Sequence, residues 1–135
     1  MKKVVFVDSG VLIAAARGSD EVSNSAMEVL DDPDAEFASS LFVKLEVLPK
    51  PLYFKKHNEV SFYEAFFNAV TGWANPNEQL VQDAFEEAVS VGLNGMDAIH
   101  VVAAEDTNAT VLVTTEGPTK PIHRTNRVAT YTIKP

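Results

Sequence analysis

The sequence predicts an α/β fold, a three-layer α/β/α sandwich around a central, mostly parallel sheet of about five strands. Three observations carry that expectation. Short β-branched apolar runs stand at 3–7 and 110–114, as strands buried in a parallel sheet do. Stretches with apolar residues at helical spacing lie between such runs. Turn-forming residues mark the junctions, at Asp8-Ser9-Gly10, Asp32-Pro33 and Asn75-Pro76-Asn77.

Taken in order, the first strand ends at Asp8, and Val11 to Ala16 begins a helix. A second helix spans 20–31 and stops at Asp32-Pro33. A short strand is expected at 36–39. Ser39 or Ser40 then caps a helix over 41–48, which Pro49 and Pro51 limit or kink. Residues 59–73 carry Val60, Phe62, Tyr63, Phe66, Phe67, Val70 and Trp73 at helical spacing and read as one packing helix. After the Asn-Pro-Asn turn, 79–81 reads as a short strand. Helices at about 82–91 and 96–106 follow, then strands at 110–114 and 128–133. No repeat, low-complexity segment or linker interrupts the chain, so 1–135 is expected to form a single domain.

Composition narrows the chemistry. The chain contains no cysteine, which excludes disulfides, thiolate zinc sites and a cysteine nucleophile. The N-terminal apolar run is too short for a signal segment and no stretch reaches membrane-spanning length, so a soluble, cytoplasmic protein is expected. The net charge of -8 leaves two readings open: a protein that never meets nucleic acid, or one whose acids hold cations that reverse the local field.

In open parallel sheets, ligands gather beyond the carboxyl ends of the strands. Asp8 closes the first strand, and Glu116 follows the strand at 110–114. Glu46 interrupts a largely apolar helix; it is desolvated and balanced by a cation, or exposed at the helix edge, or paired with Lys50. Asp97 stands three residues after Asn94, where an Asn cap with an acid in the first turn is a structural motif in its own right. His100, one turn on, reads as a packed or hydrogen-bonded histidine rather than a ligand. The four acids are 38, 51 and 19 positions apart, spacing that suits a site assembled by the fold rather than by one loop. Carboxylate oxygens select Mg²⁺ or Mn²⁺ over zinc, and an ion so held activates water against a phosphodiester.

These residues, in this order, resemble the PIN-domain family, which includes the toxins of VapBC-type toxin–antitoxin pairs. Val5-Phe6-Val7-Asp8-Ser9 is similar to the family's opening strand with its first acid. Leu45-Glu46-Val47 is similar to its helical glutamate motif, and Asp97-Ala98-Ile99-His100 to its Asp-Ala-Ile-His helix start. Val113-Thr114-Thr115-Glu116 falls where the family has a Thr or Asn followed by an aspartate, and here Glu116 departs from the pattern. The resemblance implies a ribonuclease with Asp8, Glu46 and Asp97 as metal-site acids, Glu116 as the fourth, and Ser9 and Thr115 orienting water or phosphate. It also implies an RNA substrate, an antitoxin partner and a homodimer. Phosphate contacts are expected among Lys44, Lys50, Lys55, Lys56, Lys120, Arg124 and Arg127. Glu116 keeps a second reading open, a catalytically degenerate domain that binds RNA or protein. A phosphatase of the haloacid dehalogenase type is disfavoured, because Gly10 stands where its second aspartate belongs.

Overall fold

The apolar run Lys3–Val7 forms β1, the middle strand of a five-stranded sheet. The computed structural model describes residues 2–135. The chain continues through α1 (Ser9–Arg17), α2 (Glu21–Leu30), β2 (Ala35–Ser39), α3 (Leu41–Val47), α4 (Pro49–Tyr53) and α5 (His57–Ala69). It then forms β3 (Gly72–Trp73), α6 (Glu78–Val91), α7 (Gly95–Asp106), β4 (Val111–Thr114), a 3-10 turn at Pro121–Arg124 and β5 (Thr130–Thr132). The strand order is β3-β2-β1-β4-β5, and every pairing is parallel. The sheet is sandwiched by helices. Phe6 faces His100 of α7 on one side, with ring centroids 6.3 Å apart, while Val5 and Val113 face α2 on the other.

Polar side chains start the helices. Asp8, Asp20, Ser40, Asn77 and Asn94 each accept a hydrogen bond from a first-turn backbone N–H of α1, α2, α3, α6 and α7 respectively. Gly92, at φ 82°, closes α6 in the left-handed region that glycine adopts without strain.

Two expectations are corrected. The helix over 59–73 ends at Ala69, because Val70 turns to extended backbone. Thr71 N–H then donates to Phe37 O and Ala74 N–H to Ser39 O, which makes Gly72–Trp73 an edge strand. Residues 79–81 are helical instead of extended. Asn77 caps Leu80, whose side chain enters the core, and the Gln79 side chain bonds Asp83 one turn on.

One charged cluster fastens the C-terminal segment to the helices. Glu87 on α6 is only 6% exposed, and its carboxylate accepts from Arg127 Nε (2.9 Å) and from the Thr125 hydroxyl (2.5 Å). Arg127 also donates to Glu105 at 2.7 Å. Arg127 is thus a structural cation and not a free phosphate ligand. Arg127→Ala leaves the Glu87 carboxylate buried without its cation and should cost roughly 3 kcal/mol in urea unfolding, with much of the loss recovered by adding Glu87→Gln. Asp20 gives a second test. Its bonds to Ser23 hold its carboxyl below the ordinary aspartate value. The cap's contribution is therefore full above the unfolded-state pKa and is lost as pH falls through the lowered folded value. Asp20→Asn keeps the acceptor without the titration, so wild type should lose more stability than the variant between neutral and acidic pH.

Candidate active site

The chain winds outward from β1 through β2 to β3, then crosses back to place β4 on the other side of β1. The carboxyl ends of β1 and β4 therefore frame the crevice at the switch point, where open parallel sheets bind ligands. Asp8 sits at that point. Its backbone N–H donates to Val113 O at 3.0 Å, so the sheet ladder itself fixes its position. One carboxylate oxygen accepts from Val11 N–H (3.0 Å) and the other from the Thr114 hydroxyl (2.6 Å). Burial pushes the Asp8 carboxyl above the usual range; the Thr114 and Val11 bonds oppose that, and the charge of Glu116 adds to it.

Glu46, in the last turn of α3, pairs with neither Lys50 nor solvent alone. Its Oε1 accepts from the Ser9 hydroxyl (2.5 Å) and from His100 Nε2 (2.6 Å). The His100 bond is the main cause holding its carboxyl below the usual range, against the opposing effect of partial burial. His100 is 3% exposed, and its Nδ1 has no partner among the described residues.

Asp97 occupies the cap motif read from the sequence. Asn94 accepts from Asp97 N–H at 2.9 Å and returns a side-chain N–H to its carboxylate at 3.1 Å. Burial raises its carboxyl, and the charges of Glu116 and Asp8 raise it further while His100 lowers it. Glu116 lines a hollow of about 240 Å³ together with Asp97, Asn94 and Lys120. Its loop is pinned at both ends of the residue: Glu116 N–H donates to the Thr114 hydroxyl (3.0 Å), and its carbonyl accepts from His123 Nε2 (3.1 Å). Thr115 packs so closely on Gly10 that a Cβ there would stand 2.2 Å from Thr115 Oγ1. Only glycine in the first turn of α1 lets the two segments meet.

Asp8, Asp97 and Glu116 thus share one electrostatic neighbourhood, and Glu46 joins it through Ser9 and His100. Among the described residues, none of these acids is ion-paired to a lysine or arginine. As the side chains stand, each of Asp8, Glu46 and Asp97 is turned to protein donors, and no three His, Asp or Glu among the described residues are arranged to hold a metal ion. The donor chemistry nonetheless fits a hard divalent cation: oxygen ligands, mutual repulsion and no paired lysine or arginine among the described residues. Sequence reasoning passed over Thr114 and His100 as site residues. The signal for each was a polar residue in an apolar run, with Thr114 ending β4 and His100 one turn beyond Asp97.

The repulsion has a measurable consequence. Asp97→Asn removes one of three converging charges while keeping a side-chain acceptor for Asn94. In metal-free buffer near pH 7 its Tm should rise by about 2–4 °C above wild type, as expected for relief of about 1 kcal/mol. A lower Tm would mean that the acids are already compensated.

No protein-family model matches the chain, and no curated protein does. Solved structures do. The chain is similar to one chain of VapBC2 from Rickettsia felis bound to a promoter DNA fragment, with a TM-score of 0.69 at 18% identity over 96% of this chain and 98% of that one. It is similar to a chain of a toxin–antitoxin complex from Klebsiella pneumoniae, with a TM-score of 0.71 at 19% identity over 93% and 95%. For VapBC-1 from nontypeable Haemophilus influenzae the TM-score is 0.66 at 16% identity, over 96% and 98%. At these identities the likeness is one of architecture, and it extends over nearly the whole chain: the fold is the one that these chains of toxin–antitoxin complexes have.

Proposed function

We propose that the protein is a Mg²⁺- or Mn²⁺-dependent endoribonuclease and the toxin of a toxin–antitoxin pair. The observation that carries this reading is the meeting of Asp8, Asp97 and Glu116 at the switch-point crevice with no lysine or arginine paired to them. The ion would be held by these three acids, with Glu46 Oε2, which makes no hydrogen bond among the described residues, as a fourth oxygen. A divalent ion held there would supply a water of lowered pKa and offset the charge growing on an attacked phosphodiester.

The chain's own groups do the rest. Thr114 and the first turn of α1 hold the Asp8 carboxylate in one orientation. Ser9 and His100 hold Glu46, and Asn94 holds Asp97. We assign Ser9 and Thr115 to orienting the attacking water or the scissile phosphate. That several structures of similar fold are toxin–antitoxin complexes supports a separate antitoxin polypeptide as partner. A homodimer acting in the cytoplasm completes the proposal. Among the described residues no helix is long and apolar enough to cross a membrane.

A second reading has its own support. Both Asp8 oxygens are already hydrogen-bonded, and Glu116 stands in place of the shorter aspartate, as a domain that binds without cutting would tolerate. One experiment separates the two. Wild type should cleave single-stranded RNA with Mn²⁺ or Mg²⁺ and stop with EDTA, and Asp97→Asn should lower the rate by at least about 100-fold (roughly 3 kcal/mol of lost transition-state stabilisation). Cleavage that survives both EDTA and the substitution sinks the nuclease mechanism, and RNA binding without turnover selects the second reading.

A further inference from the structure

We propose that the turn between α4 and α5, with the hollow beside it, is a docking site for single-stranded RNA. The inference rests on the ribonuclease reading for its choice of ligand, but its residues are separate from the acids.

Cations are concentrated here in a chain whose net charge is -8. From 47 to 58 there is no acidic residue, while Lys50, Lys55 and Lys56 all fall in that stretch. Lys50, Lys56 and Arg17 line one hollow of about 650 Å³ with Phe54. The one carboxylate in its lining, Glu59, is engaged by Arg17 (2.9 Å) and by the Tyr63 hydroxyl (2.8 Å). The three lysines make no ion pair among the described residues. Unpaired lysines on an otherwise acidic surface supply the phosphate contacts that the net charge denies elsewhere.

Beside them stand two exposed aromatic rings. Tyr53 is 79% and Phe54 61% exposed, and they meet edge to face at 4.9 Å. Lysines interleaved with open aromatic faces are what an unpaired base and its backbone require, whereas a duplex keeps its bases stacked inside. In the chain, only Leu48 separates α4 from the helix that carries Glu46.

Lys55 is the independent mark. Its φ of 56° lies in the left-handed region, and the conformation closes α4 through Lys56 N–H to Pro51 O (2.8 Å) and Lys55 N–H to Leu52 O (3.2 Å). Glycine makes such a closure without strain, so a lysine there keeps a cation at a cost to the backbone.

The test is fluorescence anisotropy of a short labelled oligouridine in EDTA, so that binding is read without cleavage. Tyr53→Ala should weaken binding roughly tenfold. Replacing Lys50, Lys55 and Lys56 together by Gln should lower the slope of log affinity against log salt by about 2. Lys55→Gly is the sharpest arm: affinity should fall about threefold while Tm holds or rises, since the variant loses a phosphate contact but relieves the turn. A lysine kept for the fold would give the opposite pattern. Oligouridine affinity unchanged in Tyr53→Ala and the triple variant overturns the proposal, and a concurrent change of mass in light scattering would then assign the face to a protein contact. Wild type that binds through these residues yet cuts no RNA would end the nuclease reading alone. Cleavage with binding indifferent to all these substitutions would end this inference alone.

Discussion

Like charges at close quarters under partial burial are the constraint to which the rest of the molecule answers. Carboxylates with raised proton affinity, as at Asp8 and Asp97, are groups that the fold holds against their preference for water. Their positions are fixed by specific hydrogen bonds. Asp8 is fixed by the ladder between β1 and β4, Asp97 by the Asn94 cap of α7, and Glu116 by hydrogen bonds to Thr114 and His123. Two helix N-termini, those of α1 and α7, bring their partial positive charge to the same crevice and ease the concentration of anions there.

The same economy is visible away from the crevice. A chain this acidic must balance its internal acids one at a time, and it does so with specific partners: Arg127 for Glu87 and Arg17 for Glu59. Cations committed in this way are withdrawn from the surface. Lys44 is engaged differently, its ammonium 5.0 Å from the Trp73 ring centroid and 5.4 Å from that of Phe67. The lysines of the α4–α5 turn stand out because Lys50, Lys55 and Lys56 lie close together in the chain with no acid between them and make no ion pair among the described residues.

Much of this architecture was legible in the residues. β1 and β4 were visible as apolar runs, and the acids at their ends were found because parallel sheets gather ligands there. Asn94 and Asp97 three positions apart announced their cap. What escaped depends on contacts between distant segments. Gly72–Trp73 is a strand only because β2 offers an edge, and helical spacing of aromatics concealed the break at Val70. Leu80 alternates like a strand residue but follows Asn77, and the cap decided the matter. Thr114 and His100 could not be assigned as site residues from sequence because their partners, Asp8 and Glu46, lie 106 and 54 positions away. Arg127 resembled any solvent-facing cation until Glu87 was found buried beneath it.

Asp8 carries two duties with one side chain: it faces the crevice and it begins α1. A variant made there to silence chemistry would also loosen the start of the first helix and free the Thr114 hydroxyl. An inactive protein obtained that way would be an ambiguous blank, since damage to the scaffold and loss of a reactive group would look alike. Evolution faces the same entanglement, and a lineage that abandoned chemistry at this position would have to rebuild a helix start as well.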